Sequence, residues 1–257
     1  MGTLLFSSSP DMGGLLNRYF VIFREEGDTI CRRRLFMEMY NKLNQIRNKK
    51  KSTTKEKVFS IVMALIMGLL AKIVDNLSYF IPIFTNIGDR LGIWIFVATL
   101  LAVFSYSPKL AAVKVFAFFV AMLTVYYAYT TFFLHFFPKR ELIFWSICAL
   151  LSPVCAYIMW YARGIGLLST IILALPITAL LSEGVELRNA YLPIHTHYYL
   201  IPWLMGIYLI MIVALLLTIP KNKIKITEIL LISISLSLIL SYFNVFARLF
   251  PGMNSIL

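Results

Sequence analysis

Lys72, Asp75 and Asn76 stand where an apolar chain has little ordinary use for them. They close the stretch Gly68-Leu-Leu-Ala-Lys-Ile-Val-Asp-Asn76, and residues at i and i+3 share one face of a helix. A lysine or aspartate at mid-bilayer costs about 2.5–3.5 kcal/mol on insertion scales, so such residues turn toward protein or water. Two chemistries fit the pair. It is an ion pair that braces one helix against its neighbours, or it holds the carboxylate or amine of a ligand. Lys72 is the better ligand candidate and Asp75 the better brace.

A second polar group, Glu183 and Glu186, repeats the same spacing at the end of another apolar run, and His195-Thr-His197 follows nine residues later. Histidine and glutamate are zinc donors. The residues between them form a loop, however, and no other spacing supports a site. The histidines therefore read as solvated, and no metal or other cofactor is expected. Glu183 and Glu186 are kept with Lys72, Asp75 and Asn76 as candidate ligand-binding residues.

Two prolines, Pro153 after Ser152 and Pro176, lie inside apolar runs on either side of Tyr161-Ala-Arg-Gly-Ile-Gly166. Proline frees a carbonyl one turn earlier, and interrupted helices often line cavities near mid-bilayer. Both lie about 14–17 Å from the turn at helical rise. Kinks at similar depth are expected, serving either packing or a cavity. Cys148 and Cys155, seven apart, share a helix face but cannot bridge. With Cys31 they read as reduced.

Catalytic motifs are missing: there is no Gly-x-Ser-x-Gly, no His-Glu-x-x-His, no Gly-x-Gly-Asp and no phosphate loop. The chain does not read as an enzyme. A channel is equally unsupported, since neither a filter-like carbonyl loop nor a repeated charged ring occurs.

The elements that carry these residues follow from composition. Of 257 residues, 60% are hydrophobic and only 14% charged, with a mean hydropathy of +0.81. Soluble domains carry about 25% charged residues, so this is a polytopic integral membrane protein. Seven apolar segments are expected, near 58–82, 91–107, 110–136, 142–161, 164–182, 198–219 and 227–247. The second is the shortest. Runs this long exclude a barrel, whose strands alternate over about 10 residues. The fold class is all-α, a bundle of about seven transmembrane helices. Trp94, Trp145, Trp160, Tyr161, Tyr198, Tyr199 and Trp203 fall near segment ends, where amphipathic rings prefer the interface.

The net charge of +12 is distributed unevenly: twelve of the 24 Lys and Arg precede residue 58. That pattern fits the positive-inside rule better than nucleic-acid binding. With the N-terminus inside, the inner side holds eighteen cations and the outer side five, and Lys72 falls within a span. Residues 1–57 read as a basic cytoplasmic tail, either disordered or carrying an interfacial helix around Leu35–Ile46. A true start at Met37 or Met39 is a third reading. Residues 58–257 form the membrane domain.

The stretches Leu150-Leu-Ser-Pro-Val-Cys-Ala-Tyr-Ile-Met-Trp-Tyr-Ala-Arg-Gly164 and Ala174-Leu-Pro-Ile-Thr-Ala-Leu-Leu-Ser-Glu-Gly184, with Gly68–Asn76, resemble a family of small bacterial polytopic membrane proteins catalogued only as a domain of unknown function. The likeness covers roughly residues 58–247 and implies a bacterial plasma-membrane location. More loosely, the chain resembles the substrate-capturing membrane subunits of vitamin transporters. That resemblance implies an outward-facing pocket and a small-residue stripe, here Ala64, Gly68 and Ala71, that contacts an energising module or other membrane subunit.

Two functions follow as expectations. One is a small-molecule binding or transport subunit with a pocket in the outward half. The other is a non-catalytic membrane scaffold or accessory protein with a cytoplasmic partner. An intramembrane enzyme is the least supported reading, and beyond the lipid bilayer no nucleic-acid partner is expected.

Overall fold

The first helix opens on a reciprocal cap. The Thr53 amide donates to Glu56 Oε2 at 2.9 Å, and the Glu56 amide donates to Thr53 Oγ1 at 3.3 Å. This capping box satisfies two amides that a helix start otherwise leaves orphaned, so α1 runs Thr54–Asn76, four residues earlier than its apolar run. The computed structural model describes residues 45–48, 51–76, 90–132, 135, 139–190, 200–220 and 223–243. Among them are six further helices and no strand: α2 Leu91–Val103, α3 Pro108–Phe132, α4 Lys139–Met159 with a 3-10 turn Trp160–Arg163, α5 Leu167–Ala190, α6 Ile201–Thr218 and α7 Lys223–Tyr242.

The protein is an all-α bundle. Five helices, α3 to α7, are long and apolar enough to cross a membrane. The expected second span is shorter than its apolar run. α2 has 13 residues, about 20 Å at helical rise, against a hydrocarbon core of about 30 Å. It stops at Val103 because Ser107 and Pro108 start the next helix. The Leu110 amide donates to Ser107 Oγ at 3.3 Å, and proline at a first helical position lacks the amide that would be orphaned there. In the other direction, the fifth run extends past residue 182 to Ala190, which places Glu183 and Glu186 on a helix rather than in the loop beyond it.

α5 lies at the centre, with 61% of its span buried against 17% for each of α4 and α7. It packs on α7 and α6, whereas α4 packs mainly on α3. The two proline-bearing helices thus pack mainly on different neighbours. Pro153 cannot donate to the carbonyl of Ala149, one turn back, and the Ser152 hydroxyl donates to that carbonyl instead at 2.8 Å. Between α5 and α7 runs a hydroxyl seam. Ser233 Oγ donates to Ala174 O at 3.2 Å, and Ser182 and Ser237 meet at 3.0 Å.

α1 is held to α3 through small residues. A Cβ added to Gly68 would lie 2.5 Å from the Phe118 carbonyl oxygen and 3.0 Å from Ala121 Cβ, and Ala64 is fully buried. Ala64 and Gly68 of the small-residue stripe therefore pack within the chain, because helices approach this closely only where side chains are absent or small. The opposite face of α1, including Val58, Phe59, Val62 and Met63, is exposed.

Candidate functional site

Glu183 sits near the C-terminal end of α5, sixteen residues and about 24 Å from its start. It is 4% exposed. A charge withdrawn from water to this degree is stable only with close compensation, and three elements supply it. The start of α2 gives backbone amides: Leu91 N–H donates to Glu183 Oε1 at 3.0 Å, and the Gly92 amide joins it. Arg90, in extended conformation just before α2 and only 9% exposed, brings a positive charge that acts on both Glu183 and Glu186. From α6, the buried Tyr208 lays its phenol beside the carboxylate.

The local reasons are visible in the chain. The N-cap position of α2 is Arg90, whose side chain does not cap the helix amides, so the first amides of α2 need an acceptor from elsewhere, and the positive end of the helix favours an anion. Gly92 makes room for it. A Cβ there would fall 2.5 Å from Glu183 Oε2 and 2.6 Å from Tyr208 Cε1. Glu186, one turn further along α5, is half-buried and shares Arg90. The arrangement can hold a proton or a cation on the two carboxylates, or exchange Arg90 for a ligand's amine.

Lys72, Asp75 and Asn76 lie in α1 one to two turns beyond Gly68. Their side-chain contacts fall outside the described residues, as do His195 and His197. Of the five candidate residues, the structure brings Glu183 and Glu186 together around Arg90. An open apolar groove of about 460 Å³, lined by Thr54, Lys55, Val58, Phe59 and Val62, lies at the start of α1.

At the opposite end of α2, a second centre involves residues that sequence reasoning missed. Arg47 donates from Nη1 to the Trp160 carbonyl and from Nη2 to the Val103 carbonyl at 2.9 Å. Its guanidinium also stacks 4.1 Å from the Trp160 ring centroid. Trp160 Nε1 donates to Ser105 O at 2.8 Å, and the Ile165 amide donates to Ile46 O at 3.0 Å. Ile46 and Arg47 are thus built into the bundle. Burial, with the neighbouring Arg163 adding repulsion, lowers Arg47 to about 10, so it stays cationic at neutral pH. The one available signal was Trp160, a tryptophan at a helix end beside a glycine turn. Arg47 itself is one cation among many in a basic segment, and Tyr208 is one aromatic among many in an apolar run.

Among the described residues, no three His, Cys, Asp or Glu side chains gather as metal ligands would. The chain matches no known protein family, no curated protein and no solved structure.

Proposed function

We propose that this chain is a multi-pass membrane subunit that binds or transports a small solute, with Glu183 as the group that takes up a proton or the cationic part of that solute. The observation that carries the reading is the near-complete burial of Glu183 near the C-terminal end of α5, held by partners that can be exchanged: an arginine, a phenol and two amides. Ionisable groups at membrane depth are functional candidates by default, and a helix start facing an ion is a recurrent element of transporter sites. In this reading the N-terminus lies in the cytoplasm of a bacterial cell, the solute enters from outside, and an ion gradient or a partner subunit supplies the energy. No catalytic step is involved.

The scaffold reading draws on the same geometry. Glu183 joins α2, α5 and α6, and a sealed brace needs no ligand. Thermal melting of the purified protein against a panel of amines, amino acids and vitamins separates the two. Binding predicts at least one solute that raises the melting temperature of the wild type and not of a Glu183→Gln, Glu186→Gln variant. A panel without effect, or one acting equally on both proteins, favours the scaffold.

A further inference from the structure

At the end of the bundle where α2 and α4 finish and α3, α5 and α7 begin, cations gather beside exposed apolar side chains. Arg163 holds its guanidinium 5.1 Å above the Phe104 ring, and Lys225 Nζ lies 3.4 Å from the Gly164 carbonyl. The charges of Arg47 and Arg163 repel each other. Around them Ile165 is 69% exposed and Leu167 66%, with Phe104 and Leu168 about half exposed. Lys109 lies on the same end, at the start of α3. The acids described here are Glu56, which caps its own helix, and Glu228, one turn along α7 from Lys225.

We propose that this end seats the headgroup of an anionic phospholipid, its phosphate between Arg163 and Lys225 and its acyl chains along Ile165, Leu167 and Leu168. The proposal is independent of the transport reading. Charge complementarity and position decide the occupant. A guanidinium at Arg163 and an ammonium held at the carbonyl of the next residue, Gly164, suit a phosphate. An acidic protein surface or a nucleic acid would gain nothing from isoleucine and leucine at the ends of membrane-crossing helices, whereas a lipid takes up both features at once. Gly166, at φ +96° with nothing within 4 Å of its absent side chain, leaves the surface between them open.

The test is native mass spectrometry of the full chain in detergent, titrated with phosphatidylglycerol or phosphatidylcholine. Phosphatidylglycerol should be retained in preference. Each cation near a lipid surface contributes about fivefold in affinity, so Arg163→Gln with Lys225→Gln should weaken binding about 25-fold. The charge-conserving pair Arg163→Lys, Lys225→Arg should keep most of it, and Lys139→Gln, at the other end of α4, should leave it unchanged. If the neutral double variant does not fold, the single variants carry the test, each expected to lose about fivefold. Equal retention of the two lipids, an equal loss in Lys139→Gln, or displacement of the lipid by excess inorganic phosphate would overturn the proposal. The last outcome would mark a free-phosphate site instead.

Discussion

The two ends of α2 are stabilised by opposite means. At its start, Glu183 accepts from the Leu91 amide. At its finish, Arg47 donates to the Val103 carbonyl. Each charge matches the sign of the helix end it meets, an anion at the positive end and a cation at the negative one. Both are delivered from far along the chain, because α2 itself has no charged residue in its 13. The difference lies in how each charge is balanced. Glu183 has an opposite charge, Arg90, beside it. Arg47 is surrounded by carbonyls and an aromatic face, and its charged neighbour is another arginine. One end is a paired charge sealed inside the bundle; the other is a cationic cap near the surface. A short apolar helix with both ends satisfied by remote side chains becomes the element that ties α5, α6, α4 and the segment before α1 together.

The comparison breaks most visibly at the sealed end. Glu183→Ala leaves Arg90 and the first amides of α2 without their carboxylate, and losing one partner of a buried pair costs about 3–5 kcal/mol. Glu183→Gln keeps an acceptor for Leu91 but not the charge, and should cost less. Replacing Arg90 and Glu183 together by apolar residues should recover part of the loss. Unfolding in a denaturing detergent series reads all three. A Glu183→Ala protein as stable as the wild type would show that the carboxylate is not structural and would strengthen its assignment to a ligand.

At the cationic end, Arg47→Ala removes charge-assisted hydrogen bonds to two helix ends, worth about 1.5–3 kcal/mol. Because the cap is near the surface and, among the described residues, its charged neighbour is another cation, the effect should be smaller than at Glu183. Arg47→Lys should restore little, since an ammonium cannot span both carbonyls while stacking on Trp160. Deletion of residues 1–36, which leaves Ile46 and Arg47 in place, should leave the melting temperature unchanged. A large loss on that deletion would mean that the segment before Ile46 also packs on the bundle.

Glycines give a finer test of the same end of α2. Gly92→Ala places a methyl where Glu183 and Tyr208 already stand, and overpacking of this kind costs about 1–3 kcal/mol. Gly184→Ala, on the neighbouring α5 position, meets nothing closer than 3.7 Å and should be near neutral. Equal effects at the two positions would mean that the packing around Glu183 is not tight, and with it the sealed character of the site would fall.

Much of this architecture was legible from the chain, and the reasons for the rest are local. Long apolar runs announce helices because a backbone in lipid must satisfy itself, so the number and order of helices could be read. Their ends could not, because caps set them: the Thr53 to Glu56 box lengthens α1, and Ser107 with Pro108 shortens α2. Glu183 and Glu186 stood out against an apolar run, but their partners lie about ninety residues back, at Arg90 and Leu91, and spacing along a helix carries no information about that. Arg47 was hidden for the opposite reason. In a basic stretch every cation looks solvated, and nothing local distinguishes the one that turns inward.

The smallest expected effect lies away from both ends of α2, in the hydroxyl seam between α5 and α7. Ser182 and Ser237 meet at 3.0 Å, and both are buried. In lipid an interhelical hydrogen bond between side chains is worth only about 0.6 kcal/mol on average, because the separated helices find other partners. Each hydroxyl can fall back on a carbonyl of its own helix, as Thr178 does with Ala174 at 2.8 Å. Ser182→Ala and Ser237→Ala should therefore each cost well under the loss at Arg47, and the double variant should cost hardly more than either single one, since the second hydroxyl has nothing left to lose. Additive losses in that cycle would mean that the two serines bond elsewhere. A loss as large as that of Glu183→Ala would mean that α7 depends on this seam more than on its apolar face.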